Sequence, residues 1–302
     1  MAMPLQHIEA APFGQYELAE LRLLYQLYEE AQRSRIANGE RLRAILQGRS
    51  LAGTDRAPHD ADALLKEAAS GRHVGAPALL ERAYARAMDD ELKAAAALRD
   101  AVTLHPAWSW LSSVKGIGHL LAARLLSRLD VTRAATPSAF WAYCGLATIP
   151  GAAWKCGVCG LEVGYPVGYE PNGPHQKRSA TGECGGRLEP VKTRKSVRVA
   201  PRRTTLGGRA GYDAKARECC YLIGVSMLRC GSDYRGAYDA ERARLARLRP
   251  GWTAKRCHLA ALRKMEKGFL RDLWVAWRRA VSLPIVAPYY PRTSETSASV
   301  PR

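Results

Sequence analysis

A chain of 302 residues that is 47% apolar is long enough to bury a core, and suggests two domains or one domain with an insert. Its formal charge of +18 is lopsided: residues 1–100 carry 13 Lys+Arg against 15 Asp+Glu, so the excess lies in residues 101–302 and points there for contact with a polyanion. No stretch approaches the roughly 18 uncharged apolar residues of a membrane span and "MAMPLQHIEAAPFG" is no secretory leader, so a cytoplasmic protein without membrane contact is expected.

Residues 16–47 place Leu21, Leu24, Tyr25 and Tyr28, then Leu42, Ile45 and Leu46, at helical spacing, which predicts one long amphipathic helix broken near Asn38-Gly39. A polar connection follows to about residue 62, and an alanine-rich helix runs from 77 to about 104. The pair reads as a helical hairpin or coiled coil spanning 1–105. It is expected to act as scaffold and as the contact of a homo-oligomer, because it assembles no catalytic groups.

From Trp108, two short helical runs flank Val114-Lys115-Gly116-Ile117-Gly118, and this apolar-x-Gly-apolar-Gly pattern is that of the elbow in a helix-hairpin-helix. Gly116 and Gly118 supply backbone angles and close approach that a side chain would deny. Val114 and Ile117 plug the elbow into the core, and Ala122, Leu125 and Leu126 back the second helix. Open amides at the start of that helix suit a phosphate oxygen, and Lys115 adds charge. Lys115, Gly116, Ile117 and Gly118 are therefore candidate nucleic-acid contacts that grip the backbone without reading its sequence. A purely structural turn is the competing reading. "TPSAFWAYCGL" then starts a third helix at a Thr-Pro cap and stops it at Gly145.

Residues 150–211 hold loop and short strand. Cys156 and Cys159 form a CxxC knuckle and Cys184 follows in "GECGG"; position 181 is Thr, so His175 is the fourth donor. Cys156, Cys159, His175 and Cys184 then make a closed set of three thiolates and an imidazole, for which structural zinc is the expected occupant. A redox CxxC competes, without the strand-helix context it needs. The remaining thiols, Cys144, Cys219, Cys220, Cys230 and Cys257, fall in helical segments and read as core.

A basic arm follows, with Lys192, Arg194, Lys195, Arg198, Arg202, Arg203 and Arg209 as candidate nucleic-acid contacts, and the alternation in "KSVRVA" predicts a strand with charge on one face. Helix returns at 212–229, 234–248 and 252–279. The last sets Leu259, Leu262, Phe269, Leu273 and Trp277 on an apolar side; Trp274 and Trp277 read as core and His258 as packed or capping. The tail 281–302 has the composition of a disordered end. The expected fold is mainly α: the helical hairpin, then a helix-hairpin-helix-containing domain at 106–280 with a small zinc-ribbon-like β insert.

Taken in order, "VKGIGHLLAARLLSRLD", "TPSAFWAYCGL", "GYDAKARECCYLIGVSMLRCGSDYRGAYDAER" and "WTAKRCHLAALRKMEKGFLRDLWVAWRR" resemble the C-terminal half of insertion-sequence transposases of the 110/116/902 group, over about residues 108–280. The resemblance implies a helical domain that holds DNA during excision and insertion, preceded by a coiled coil like that at 16–47; in full-length relatives a guide RNA bridges target and donor. Those relatives begin with a RuvC-like domain whose acidic tetrad binds magnesium. This sequence shows no matching strand-borne acids and starts at the coiled coil. The family also places a nucleophilic serine between the "YCGL"-like helix end and the next helix, where Ser196 is the candidate here. Catalysis is thus left open, and the first expectation is a transposase-related DNA-binding protein of transposition and recombination. The alternative is a non-catalytic, domesticated accessory protein that binds DNA or guide RNA.

Overall fold

The computed structural model describes residues 15–47, 61–171, 184–191, 197–199, 201 and 211–286. Among these the chain is mainly α, with nine helices and one antiparallel sheet of four strands. It divides into two compact units, one reaching to Asp130 and taking in Ala280–Ser282, the other running from Val131 to Arg279 and on from Leu283. None of the described helices is long and apolar enough to cross a membrane.

The first unit contains α1 (Gln15–Leu46), α2 (Ala61–Ala69), α3 (Ala78–Leu104), α4 (Trp108–Ser113) and α5 (His119–Leu126). α1 and α3 form the expected hairpin, antiparallel, with Arg35 paired to Glu91 and Gln32 donating to the same carboxylate at 3.2 Å. Leu42 and Leu46 of α1 pack with Leu65 and Ala68 of α2 and Tyr84 of α3. α2 lies within the stretch that the sequence assigns to a polar connection.

The expected break at Asn38-Gly39 does not occur. Gly39 is buried inside a continuous α1, and a Cβ there would stand 3.1 Å from Cε2 of Tyr84. Glycine costs this helix about 1 kcal/mol in propensity, and it makes room for the Tyr84 ring that closes the hairpin core. At the other end of the hairpin, Arg22 Nε donates to the Ser127 carbonyl at 2.8 Å, tying α1 to the end of α5.

The second unit contains α6 (Pro137–Tyr143), β1 (Ile149–Cys156), β2 (Glu162–Pro166), β3 (Leu188–Pro190), β4 (Val197–Val199), α7 (Ala214–Arg229), α8 (Arg235–Leu248) and α9 (Ala254–Ala280). All three other strands pair with β1: β2 opposite Gly151 to Lys155, β3 opposite its last residues, and β4 opposite its first. β4 alternates as expected, with Arg198 exposed between half-buried Val197 and Val199. Asp213 caps α7, its Oδ1 accepting from the Ala216 amide at 2.7 Å, and α6 ends at Gly145, whose φ of +64° suits the residue beyond a helix end.

α9 is the spine of this unit. Leu262, Phe269, Leu273, Trp274 and Trp277 are buried, and the Trp274 indole donates to the Ala134 carbonyl at 2.8 Å, so the tryptophans are core as expected. His258 is packed, its Nδ1 2.6 Å from the Tyr238 hydroxyl of α8. Two expectations fail. Leu259 is 44% exposed, because the buried ladder at this end of α9 runs Cys257, Ala261, Met265, Phe269, and a residue two positions off that ladder lies about 200° around the helix. Cys230 is also exposed: it is the C-cap of α7, beyond its last packed turn, whereas Cys144, Cys219, Cys220 and Cys257 are buried.

Candidate nucleic-acid elbow and metal centre

The elbow between α4 and α5 is built by two residues that point in and two that stay out. Val114 and Ile117 are buried, and the Ile117 amide closes a tight turn onto the Val114 carbonyl at 3.1 Å. Lys115 and Gly118 are exposed. Gly116 adopts φ +95°, a left-handed conformation that a side chain disfavours, so the turn requires this glycine. Gly118 differs: its φ of −96° is open to any residue, and a Cβ there would meet nothing within 4 Å. Among the described residues, neither backbone angle nor close approach requires a glycine at 118.

Gly118 is the N-cap of α5 and offers no side chain to the first-turn amides, which have no acceptor within the helix. The rings of Trp108 and His119 lie 4.3 Å apart and brace the two helices across the elbow, while Ala122, Leu125 and Leu126 are fully buried behind it. The result is an outward-facing loop in which no side chain caps the amides that open α5, with Lys115 exposed beside them.

The second candidate forms where β1 ends. Cys156 closes β1, its carbonyl accepts from the Gly160 amide at 3.0 Å, and its Sγ lies 3.5 Å from the Cys159 amide, so the CxxC folds as a knuckle around sulfur. Cys184 joins it: the three thiols lie within 4.8 Å of one another, with Cys156 and Cys184 Sγ 3.8 Å apart. Tetrahedral zinc with bonds of about 2.3 Å would space its sulfurs about 3.8 Å, far beyond the ~2 Å of a disulfide. The three residues therefore fit such an ion.

The approach of β3 to the knuckle runs through Gly186, where a Cβ would fall 2.5 Å from the Cys156 sulfur. The Gly186 amide also pulls the Cys184 thiol down, yet burial and the neighbouring Cys159 and Cys156 thiols outweigh it and leave Cys184 above its ordinary value. The Cys184 thiol, held this close to two others, resists losing its proton until a cation replaces it. His175, the expected fourth donor, lies outside the described residues.

Of the basic arm, Arg198 is described. It stands on β4 with its guanidinium donating to the Thr148 carbonyl at 2.5 Å and to Thr148 Oγ1 at 3.2 Å. Lys192, Arg194, Lys195, Arg202, Arg203 and Arg209 lie outside the described residues, as does Ser196.

Sequence reasoning left the cations of α9 without a role. Arg256 and Arg263 are seven residues apart, two turns, and so share one face; that spacing was the available signal. Burial pushes the Arg263 guanidinium down, helped by Arg217, and the adjacent Lys267 is lowered by burial and by Arg263 and Arg198. Amid these cations Glu266 is buried enough that its carboxyl is pushed up to about 7, against the opposing pull of Arg263 and Arg217.

Residues 109–151, from α4 into β1, match the sequence model of the Transposase IS116/IS110/IS902 family. The elbow and α6 both fall inside the match, so this segment is transposase-like and of the group that the sequence resembles. No curated protein and no solved structure matches the chain.

Proposed function

We propose, from this transposase-like segment, that the chain binds DNA in transposition, holding the phosphate backbone on the α4–α5 elbow. The observation that carries the reading is Gly118. Its backbone angles and its surroundings both tolerate a side chain, so a bare backbone there serves an approach from outside. A phosphate oxygen suits the first-turn amides of α5 and the ammonium of Lys115, and such a contact positions the protein without selecting bases. The cysteine knuckle would hold zinc through Cys156, Cys159 and Cys184, with His175 as the fourth donor, and its part would be to fold the insert that carries Arg198.

The test is duplex binding by the full chain. Gly118→Ala adds only a methyl group at an open position, so it leaves the fold intact; together with Lys115→Glu it lowers affinity for DNA of any sequence by about ten-fold or more. Unchanged binding in that double variant would remove the elbow from the interface. Ser196 is proposed as the nucleophile, and covalent capture of DNA that persists in Ser196→Ala excludes it.

A further inference from the structure

A pocket of about 480 Å³ opens in the second unit, between β2, β4 and the N-terminal part of α9. That size lies within the roughly 300–1,000 Å³ of small-molecule sites. Its walls divide by chemistry. Arg198, Arg256 and Arg263 supply the charge, and among the described residues no Asp or Glu lines it. Val163, Leu259 and the valines of β4 supply an apolar wall, beside Trp252.

Three features mark this pocket as more than a gap in packing. The Arg263 Nη1 is sealed from solvent and has no hydrogen-bond partner among the described residues, an arrangement that disfavours an empty site and suits a bound anion. The Arg256 guanidinium lies over the Trp252 ring, 4.1 Å from its centroid, which helps to hold it at the pocket. Leu259, which departs from the buried ladder of α9, is exposed into the same space. Glu266 lies near enough to act on Arg263, but burial pushes its carboxyl up to about 7, so near neutrality it offsets that guanidinium only in part.

A duplex presents its phosphates on a convex surface and has its bases stacked away, so it has no use for a concave apolar wall. An unpaired nucleotide offers both a phosphate for guanidinium groups and a flat base to bury. We propose that this pocket seats one unpaired nucleotide of a nucleic-acid strand, its phosphate among Arg198, Arg256 and Arg263 and its base against the apolar wall beside Trp252. The inference rests on the reading above that the chain binds nucleic acid, and it assigns to the second unit a preference for single strands that the elbow does not have.

The test measures binding of the full chain to a single-stranded DNA of about a dozen nucleotides, to the same strand without bases, and to the corresponding duplex. Arg198→Ala and Arg256→Ala both alter side chains at the pocket mouth and each weakens single-strand binding about ten-fold, while Arg256→Ala lowers duplex binding less than about two-fold. The abasic strand binds the wild type as weakly as the ordinary strand binds the variants. Arg263→Met serves as the deeper variant, and circular dichroism reports whether it folds; the two mouth variants decide the matter if it does not. An abasic strand that binds as tightly as the ordinary one, or single-strand affinity unchanged in the Arg198→Ala/Arg256→Ala variant, overturns the pocket while duplex binding through the elbow stands. A wild type that binds neither strand nor duplex overturns both. A free mononucleotide that competes at equal base and phosphate concentration, while longer strands bind no better, reassigns the pocket to a soluble nucleotide and overturns the strand.

Discussion

Gly186 shows how one missing side chain can hold a site together. The chain passes so near the Cys156 sulfur at this point that a methyl group would sit 2.5 Å from it, inside the contact distance of any carbon and sulfur. Either β3 or the knuckle must then move, and three thiols set for one ion lose their spacing. Gly157, on the outer side of the same knuckle, is the natural control, since a Cβ there meets nothing within 4 Å. Gly186→Ala is expected to purify without zinc and to unfold its insert at lower temperature, whereas Gly157→Ala keeps both metal and stability. Elemental analysis alongside a thermal melt, with and without chelator, reads both effects. Zinc retained at full stoichiometry in Gly186→Ala would show that the sulfurs do not form the site.

The joint between α3 and α4 depends on an uncharged imidazole. His105 is buried, its Nδ1 accepts the Ala107 amide at 3.1 Å, and burial pushes its pKa down to about 3 from an ordinary 6.5. The unfolded chain takes a proton at 6.5 that the folded one refuses, so stability is fully present above 6.5 and is lost as pH falls toward 3, by roughly 1.4 kcal/mol per unit. His105→Asn keeps an acceptor for the Ala107 amide and removes the titration, so melts of the first unit should flatten in that window. A wild type with no acid loss between 6.5 and 3 contradicts the burial argument. Much at this scale was legible beforehand. α3, α7, α8 and α9 show strong 3.6-residue periodicity over many turns, and the elbow's glycine spacing identified α4 and α5 despite their brevity. α2 escaped because it spans nine residues, so its core positions Leu64, Leu65, Ala68 and Ala69 repeat across barely one turn. Gly39 misled because propensity weighs a glycine against helix, while the reason for it, the Tyr84 ring, lies 45 residues away in sequence. The three sulfurs followed from CxxC spacing; the pocket did not, since its walls come from β2, β4 and α9 and meet only in the fold.

Charge is divided between the units in a way that separates their parts in binding. Residues 1–130 carry 16 Lys+Arg and 16 Asp+Glu, so the entire +18 belongs to residues 131–302. On the proposed reading, the elbow would grip from a unit with no net charge, through oriented amides and Lys115, while long-range attraction to a polyanion would come from the second unit. Salt distinguishes these contributions, because each neutralised phosphate releases counterions and adds about 0.9 to the slope of log affinity against log salt for duplex DNA. Lys115→Ala is expected to remove one such contact, so the slope falls by about 1 and the loss of affinity is largest at low salt, by a similar factor for every sequence. Gly118→Ala obstructs the amides without removing a charge, so it weakens binding while the slope stays near that of the wild type. Measured between about 50 and 200 mM salt, these two lines separate a phosphate held by backbone dipoles from one held by a lysine alone. Should Gly118→Ala leave affinity untouched while Lys115→Ala alone shifts the slope, the elbow would contribute a point charge and its glycine no contact.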